Sequence, residues 1–484
     1  MGKRGLSLIT LAAIPMFVLG ACGQTSNASP TPSTEPSSAA QGSAASASSG
    51  AITWFVGLGS GTQPNQIDAE KAFVASYNKL NKDGITITLK IVPHDSAYDV
   101  LKTDIARGDA PDLIGPVGVK DRNGFEGLFL DLTQEIAKNN YDVKAFADPA
   151  VEFFRDSSGA QIGLPYLVNS GYIWYNKDAF AKAGLPNLPT TVGEMYQGKT
   201  WDWNALGAVA AQLTLDKKGK KSTDSGFDKA NIVQYGVDFQ GLDARRIGSL
   251  FGSGSFVDSD GKTATIPAVW AEAYNWYYDA IWKSHYAPNA TVEASALLNQ
   301  GNSMASGNVA MSAAWGTSIS SLWDSKTSTA KMKSWDIGVI PSWKGNTTSP
   351  MDADTFVIAK ASKNPDAAFK AMVAIEADPT LMQDYGGLPV KASAQAAYTQ
   401  SMDATLSPIF PGIKVTWSVL NEMLMHPASP SDQVTLPAST QATTDYGALL
   451  TKLQTKDGLD VNAELTKLQA ILQADYAAVQ PLNQ

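Results

Sequence analysis

The chain contains 12 tryptophans, more than a core of its size requires. A ligand with apolar C–H faces and a rim of hydroxyl groups needs flat aromatic rings and short polar side chains that donate and accept hydrogen bonds. A stacked aromatic pair contributes about 0.5–1.5 kcal/mol beyond the burial of its area. The surplus of tryptophan therefore indicates that some of the rings are platforms for a ligand.

Residue patterns for metal or covalent chemistry do not occur in the sequence. His94, His285 and His426 are far apart and lack metal-ligand spacing. Asp258–Gly261 is typical of an Asp-Gly hairpin turn, because the ligand spacing and terminal Glu of a calcium-binding EF-hand are missing. Gly252–Gly254 is not followed by the Gly-Lys-Ser/Thr of a phosphate loop. We therefore expect no metal, no cofactor and no catalytic residue.

The only cysteine, Cys22, lies where a thiol has a chemical use. It follows a short basic stretch and an apolar run from Leu6 to Leu19, which is shorter than a membrane-spanning helix needs. The segment Leu19–Cys22 resembles a bacterial lipobox, in which the cysteine thiolate takes up a diacylglyceryl group. We therefore predict a signal peptide over 1–22 and a lipid anchor at Cys22. The alternative is an ordinary secretory signal with an incidental cysteine.

Charge and composition restrict the partners of the mature chain. Removal of residues 1–22 takes away Lys3 and Arg4 and no acid, so the formal charge of −9 becomes −11. A chain this acidic repels nucleic acid and anionic lipid headgroups. Residues 23–50 are rich in Ser, Ala and Pro, with Glu35 as their only charge, and are predicted to be a flexible, disordered tether. A tether of this length favours the outer face of a Gram-positive cell membrane.

The elements that must position a site begin at Ala51. Ile52–Val56 is typical of a buried strand, Gln66–Leu80 has helical spacing of apolar residues, and 85–91 alternates as a strand does. A second helix and a strand beginning at Asp112 follow. The order β-α-β-α-β predicts an α/β fold with a mostly parallel sheet. Ligands bind beyond the carboxyl ends of such strands, which places the loops after Val56 and Ile114 at a site.

Several motifs together resemble the solute-binding proteins of carbohydrate ABC importers, the group that includes maltodextrin-binding proteins. Each motif is weak alone, and their order over nearly the whole mature chain carries the resemblance. They are Ala110–Ile114, Gly163–Tyr166, Tyr175–Asp178, Phe180, Ala183–Leu185, Gly307–Met311, Trp315–Gly316, Trp335–Pro341 and Gly386–Val390. A tryptophan-rich segment, 196–203, has no counterpart in this pattern.

The resemblance implies a two-lobed fold, in which each lobe is a mostly parallel sheet flanked by helices and three chain crossings form a hinge. By analogy the crossings lie near Asn169, Ala353 and Gly387. The N-terminal lobe then comprises 51–169 and 353–387, and the C-terminal lobe comprises 170–352 and 388–484. Hinge closure around a solute is a known use of such an arrangement.

The resemblance also directs the choice of site residues. Trp315 occupies the place where related receptors present a stacking ring. Asn169 lies beside the first crossing, and Asp352 and Asp354 flank the second, where they are expected to accept hydrogen bonds from sugar hydroxyls. The other candidates are aromatic or charged residues at strand ends or in the second lobe: Tyr166, Trp54, Asp243, Arg245 and Trp417. By contrast, the helical spacing of Trp270, Tyr274, Tyr277 and Ile281 predicts a core stripe.

The function implied by these features is capture of a sugar or oligosaccharide and its delivery to the permease of an ABC importer by a monomer. The alternatives are a receptor for a non-sugar solute, such as a polyamine or a peptide, and a secreted glycoside hydrolase. A hydrolase needs two carboxyl groups on opposite sides of the cleaved bond, and Asp352 and Asp354 are too close in the sequence to flank a substrate. The sequence alone does not identify the sugar, because fold-level resemblance does not fix the side chains of a cleft.

Overall fold

A computed structural model gives the arrangement of most of the chain after the tether. It describes residues 50–118, 124–125, 127–146, 148–156, 158–239, 241–299, 302–315, 322, 330–429, 431 and 436–479. The predicted signal peptide, Cys22 and nearly all of the predicted tether lie outside these ranges. None of the helices within them combines the length and the apolarity needed to cross a bilayer.

The first part of the fold is the β-α-β-α-β unit expected from the sequence. Strands β1 (Gly50–Val56), β2 (Ile85–Ile91) and β3 (Leu113–Gly118) alternate with helices α1 (Pro64–Leu80) and α2 (His94–Arg107). Strand β1 pairs in parallel with both β2 and β3. Alternate residues of β1 enter two separate cores, with Trp54 on one face of the sheet and Phe55 on the other. The strand is therefore buried on both faces, as parallel strands usually are.

The other strands make the sheet mixed, so the prediction of mostly parallel sheets is wrong. The main sheet has the order β10-β4-β11-β3-β1-β2, and β9 and β12 also pair with β4. Strand β11 is antiparallel to β3, and β9, β10, β11 and β12 are all antiparallel to β4. The bounds of these strands are β4 Leu164–Asn176, β9 Met311–Trp315, β10 Trp335–Gly338, β11 Met351–Ile358 and β12 Leu388–Pro389.

Strand β4 changes all its partners between Ser170 and Gly171. Before this point β4 pairs with β11 and β12, and after it β4 pairs with β9 and β10. The segment that precedes β11 packs closely against β4 at this point. A Cβ on Gly171 would lie 3.1 Å from the ring carbons of Pro350. Glycine permits this close contact because it has no side chain. The backbone N–H of Gly171 donates to Ser349 Oγ at 2.8 Å. One strand thus continues from one set of pairings into another.

The remaining elements pack against both parts of the fold, and Pro365–Glu376 and Pro379–Tyr385 belong to the core around β1. The short strands are β5 Met195–Tyr196, β6 Lys199–Thr200, β7 Leu215–Asp216 and β8 Ile232–Gln234. The α-helices between α2 and β11 are α3 Thr133–Lys138, α4 Asp148–Glu152, α5 Lys177–Ala183, α6 Trp203–Leu213, α7 Ala244–Ser249, α8 Ala268–Trp282 and α9 Ala290–Glu293. Those after β11 are α10 Pro365–Glu376, α11 Pro379–Tyr385, α12 Ala392–Leu406, α13 Ser418–Leu424, α14 Ser439–Thr455 and α15 Val461–Ala478. Single 3-10 turns cover Val143–Ala145 and Met304–Ser306.

A large aromatic core fills the second part of the fold. The predicted stripe on α8 is confirmed, since Trp270, Tyr274, Tyr277 and Ile281 are all buried in it. The tryptophan-rich segment 196–203 belongs to the same core. Its indole N–H groups are satisfied by backbone oxygens, because Trp201 donates to Val339 and Trp203 donates to Leu250. The three rings of this segment are buried in the protein interior, whereas residues 197–200 are exposed.

Candidate functional site

A strip of three polar residues lies beside the point where β4 changes partners. On β4, Asn169 is the one residue that is not buried, and on β11 the corresponding residues are Asp352 and Asp354. Asn169 lies directly opposite Asp352 in the antiparallel pairing. Asp352 and Asp354 are two residues apart, so their side chains lie on the same face of β11. We call Asn169, Asp352 and Asp354 the junction strip.

The carboxylate of Asp354 contacts the loop that follows β1 and lies near Gly118, the last residue of β3. Its Oδ2 accepts a hydrogen bond from the backbone N–H of Ser60 at 3.0 Å. A Cβ on Gly59 would lie 3.1 Å from Oδ2, and one on Gly118 would lie 3.7 Å from Oδ1. The junction strip therefore adjoins the carboxyl ends of two parallel strands, where ligands of open α/β sheets bind.

The carboxylate of Asp352 faces helix α7. Its Oδ2 lies 3.3 Å from Nη2 of Arg246, and both side chains are only partly exposed. The helix is fixed beside β11 because Thr348 donates to the carbonyl of Ser249 at 2.8 Å. Asp243 caps the helix by accepting from the N–H of Arg246 at 2.9 Å. Asp243 thus positions Arg246 beside the strip.

Sequence reasoning points to Arg245, and the structure places its neighbour Arg246 beside the junction strip. Adjacent residues on a helix point about 100° apart, so when one side chain is buried the next lies nearer the surface. Arg245 is 8% exposed and is therefore buried. Burial raises the pKa of Tyr476 to about 12, and the positive charge of Arg245 partly opposes this rise. The sequence has two consecutive arginines and no signal that shows which one is buried.

The aromatic candidates do not join the junction strip. Trp54 is fully buried and donates its indole N–H to Gly115 O at 2.6 Å. Tyr166 is 2% exposed and packs against Phe356, with ring centroids 5.1 Å apart. Burial raises the pKa of Tyr166 well above its usual range. A buried ring offers no face to a solute, so we leave both residues out of the proposed site.

Two tryptophans of the second part remain to be placed. Trp417 is half-buried against the large aromatic core, and its indole N–H donates to Asp403 Oδ1 at 2.8 Å. The backbone of Trp315 pairs with Gly171 at the partner change, so this residue begins beside the junction. The side chain of Trp315 lies outside the described part of the chain, and its role stays a prediction.

The side chains of the strip can accept hydrogen bonds, and among the described residues the cation of Arg246 lies beside them. Within the described residues, the side-chain amide of Asn169 makes no hydrogen bond, so it is available both to donate to and to accept from a solute. The same residues contain no group of three His, Cys, Asp or Glu side chains arranged to hold a metal ion. Carboxylates, an amide and a guanidinium suit a polyhydroxylated ligand.

The amino-acid sequence matches a known protein family. The family model for bacterial extracellular solute-binding proteins matches residues 63–376, well over half of the chain. A binding protein of Brucella abortus (strain 2308) is 30% identical over 158 residues. That match covers 31% of this chain and 33% of the relative. The chain thus spans about a third of the length of this curated relative.

Solved structures show the same fold over most of the chain. UspC of M. tuberculosis matches with a TM-score of 0.68 and 21% identity, covering 88% of this chain and 100% of that protein. An ABC substrate-binding protein of Listeria monocytogenes in complex with cycloalternan matches with a TM-score of 0.61 and 20% identity. This second match covers 88% of this chain and 98% of the other. The α/β class is confirmed, and the architecture matches two-lobed binding proteins.

Proposed function

Because the chain belongs to the family of bacterial extracellular solute-binding proteins, we propose that it captures a sugar or oligosaccharide at the junction strip and delivers it to the permease of an ABC-type importer. The observation that carries this proposal is the exposure pattern of β4 and β11. Only Asn169, Asp352 and Asp354 on these two strands are not buried, and all three lie where the chain passes between two sets of pairings. A polar strip at such a point would line one face of a solute-binding cleft.

The proposed mechanism is closure of two lobes around the solute. The lobes comprise 51–169 with 353–387 and 170–352 with 388–484. The partner change between Ser170 and Gly171 lies one residue beyond the first proposed boundary, which supports this division. The chain at 349–350 and the strand Leu388–Pro389 contact the same stretch of β4, as expected for three crossings at one hinge. Rotation about these strands would bring Arg246 and the loop after β1 around a bound sugar.

The chemistry of the strip favours a neutral polyhydroxylated solute. Asp352 and Asp354 accept hydrogen bonds from hydroxyl groups, and Arg246 and Asn169 donate to them. Arg246 already lies beside Asp352, so this pair requires no charged ligand, and Asp354 already accepts from the backbone N–H of Ser60. The Listeria protein with the same fold carries cycloalternan, which is consistent with a carbohydrate. We propose that the solute is released unchanged, and Trp315 remains the proposed stacking ring.

The proposed location is the outer face of the cell membrane. Residues 1–22 would direct export, and the acylated Cys22 would anchor the mature chain through a flexible tether over 23–50. Two acyl chains hold a protein stably at a bilayer where a single chain does not. A tether of this length fits the wall of a Gram-positive cell. In this arrangement the protein acts as a monomer and contacts the membrane only through its lipid.

Ligand-dependent melting tests the proposed function most simply. The full chain carrying Cys22→Ser, which lacks only the acylation site, is melted with a panel of mono- and oligosaccharides, polyamines and peptides. A ligand that binds only the folded state raises the free energy of unfolding by about 2.7 kcal/mol at a hundredfold excess over its dissociation constant. We expect a rise in melting temperature with one class of sugar and an unchanged glycan afterwards by chromatography.

Each other outcome has a definite meaning. A shift with polyamines or peptides and none with sugars would retain the binding role and reject the carbohydrate. Cleaved glycan would identify an enzyme. Small-angle scattering with the ligand found should show a smaller radius of gyration than without it, and an unchanged radius would contradict lobe closure.

A further inference from the structure

A second pocket lies apart from the junction strip, between helices α10, α11 and α12. Its volume is about 410 Å³, which is within the range of small-molecule sites. The end of α10 contributes Glu376, α11 contributes Pro379 and Met382, and α12 contributes Ala394 and Ala397. Most of these groups are apolar. The pocket therefore suits a compact molecule with an apolar body.

One buried carboxylate among the lining residues lacks a full set of hydrogen bonds. Glu376 is 3% exposed, and its Oε2 accepts a hydrogen bond from the hydroxyl of Tyr141 at 2.6 Å. Its Oε1 has no hydrogen-bond partner among the described residues. An unpaired buried carboxylate oxygen is costly, and proteins usually satisfy such atoms. Oε1 itself has almost no accessible surface, so a donor in the pocket reaches it only when the side chain of Glu376 turns toward the pocket, and such a donor would then remove this cost.

The surrounding charges determine which donor fits. The ammonium of Lys391 also lines the pocket and lies 4.8 Å from the ring centroid of Tyr141 and 5.1 Å from that of Phe146. Its positive charge and the charge of Glu376 already offset one another. A cationic ligand would bring an unbalanced charge into a largely apolar pocket, which is unfavourable. A hydroxyl group adds no charge, and it donates to an ionised carboxyl or accepts from a protonated one.

We propose that this pocket is a second binding site, distinct from the junction strip, for a small neutral molecule with an apolar body and a hydroxyl group that donates to Glu376. The site does not depend on the identity of the transported solute. Because α10 and α11 precede β12 and α12 follows it, the bound molecule would contact elements on both sides of the third chain crossing.

Methionine NMR tests the site, because Met382 lies in its wall. The full chain carrying Cys22→Ser is labelled at its methionine methyl groups, and the signal of Met382 is assigned with Met382→Leu. Cyclohexanol is titrated at pH 8.5, where the carboxyl of Glu376 is ionised, since burial raises its pKa only to about 7. We expect a saturable shift of the Met382 signal. Cyclohexanone, which has a similar shape and no donor, should bind at least about tenfold more weakly, because hydrogen bonds to charged groups are strong.

Two substitutions on α12 locate the binding. Ala394→Leu fills the pocket and should abolish the shift. Ala396→Leu makes the same change at an exposed position on the same helix that does not line the pocket, so it should leave binding unchanged. The proposal is overturned if Met382 does not respond to cyclohexanol, or if Ala394→Leu binds it as the parent chain does. It is also overturned if cyclohexanone or the cyclohexylammonium ion binds as tightly as the alcohol.

Discussion

The two halves of β4 share one backbone and differ in their surroundings. From Leu164 to Ser170 the strand lies between β11 and β12, and Asn169 on this half is partly exposed. From Gly171 to Asn176 every residue is buried, and Trp174 lies between Tyr172 and Trp335 with ring centroids 5.6 and 5.0 Å apart. The first half carries the polar strip, and the second half supports an aromatic core.

This difference corrects the argument from tryptophan content. Ten of the 12 tryptophans pack into or against the buried clusters, namely Trp54, Trp174, Trp201, Trp203, Trp270, Trp276, Trp282, Trp335, Trp343 and Trp417. Large rings fill the second part of the fold, where several helices meet around a short region of sheet. A surplus of tryptophan therefore reflects the way this core is built, and it is weak evidence for stacking platforms.

The largest expected effect comes from the buried half of β4. Trp174→Ala removes a fully buried ring and should lower the free energy of unfolding by about 3–5 kcal/mol. Asn169→Ala, on the other half of the same strand, should cost less than about 1 kcal/mol, because a partly exposed residue leaves no buried cavity. Urea denaturation of both variants measures the contrast. Equal losses of stability would remove the distinction between the two halves.

A smaller effect is expected at the boundary between the halves. Gly171→Ala would place a Cβ 3.1 Å from the ring carbons of Pro350 and should cost about 1–3 kcal/mol through overpacking. Gly447→Ala is the matched control, because a Cβ there has open space within α14. That control should be neutral or stabilising by up to about 1 kcal/mol, since alanine favours helices. A boundary variant as stable as the parent would show that the close approach at Gly171 is not required.

Two carboxylates near the loop after β1, those of Asp354 and Glu70, have different surroundings. We therefore expect Glu70 to make stability depend on pH. Asp354 is partly exposed and bonded to Ser60, whereas Glu70 is fully buried beyond Gly61. Burial raises the pKa of Glu70 to about 8, and the hydrogen bond from Tyr385 opposes this only in part. The folded state therefore keeps a proton that the unfolded state has released, so this contribution to stability is lost as pH rises from about 4.5 to about 8.

Glu70→Gln should flatten this dependence on pH. One such proton changes the free energy of unfolding by up to about 1.4 kcal/mol per pH unit. Urea denaturation at pH 6 and pH 8 should therefore show a smaller loss in the variant than in the parent chain. An equal loss of the free energy of unfolding in the variant and the parent chain would mean that Glu70 is ionised in the folded state.

Local patterns allowed accurate prediction where the cause of an element was local. Strand β2 has the predicted bounds, 85–91, and helix α1 ends at Leu80 as predicted, because the spacing of their own apolar residues defines both elements. The full length of β4 has no local signal, since Pro165 and Gly171 are residues that usually interrupt strands. Its antiparallel neighbours come from distant parts of the chain, so no local pattern indicated the mixed sheet.

The site was only partly accessible from the sequence. Family resemblance placed Asn169, Asp352 and Asp354 near the crossings, and the structure brings them together on one face. Composition favoured Trp54 and Tyr166, which are buried. The position of the Arg246 side chain depends on the orientation of a short helix. That orientation is set by the cap at Asp243 and by the contact of Thr348 with Ser249. Tertiary contacts of this kind have no signature in neighbouring residues.

Affinity measurements on junction variants test the central claim most directly. The solute identified by melting is titrated calorimetrically into Asp352→Asn, Asp354→Asn and Asn169→Ala, with Asp68→Asn on the exposed surface of α1 as the matched control. Loss of a hydrogen bond to a charged group should weaken binding about tenfold or more in the two aspartate variants. Asn169→Ala should weaken binding also, and the control should bind as the parent chain does. Junction variants that remain folded and keep the affinity of the parent chain would contradict the assignment of the site.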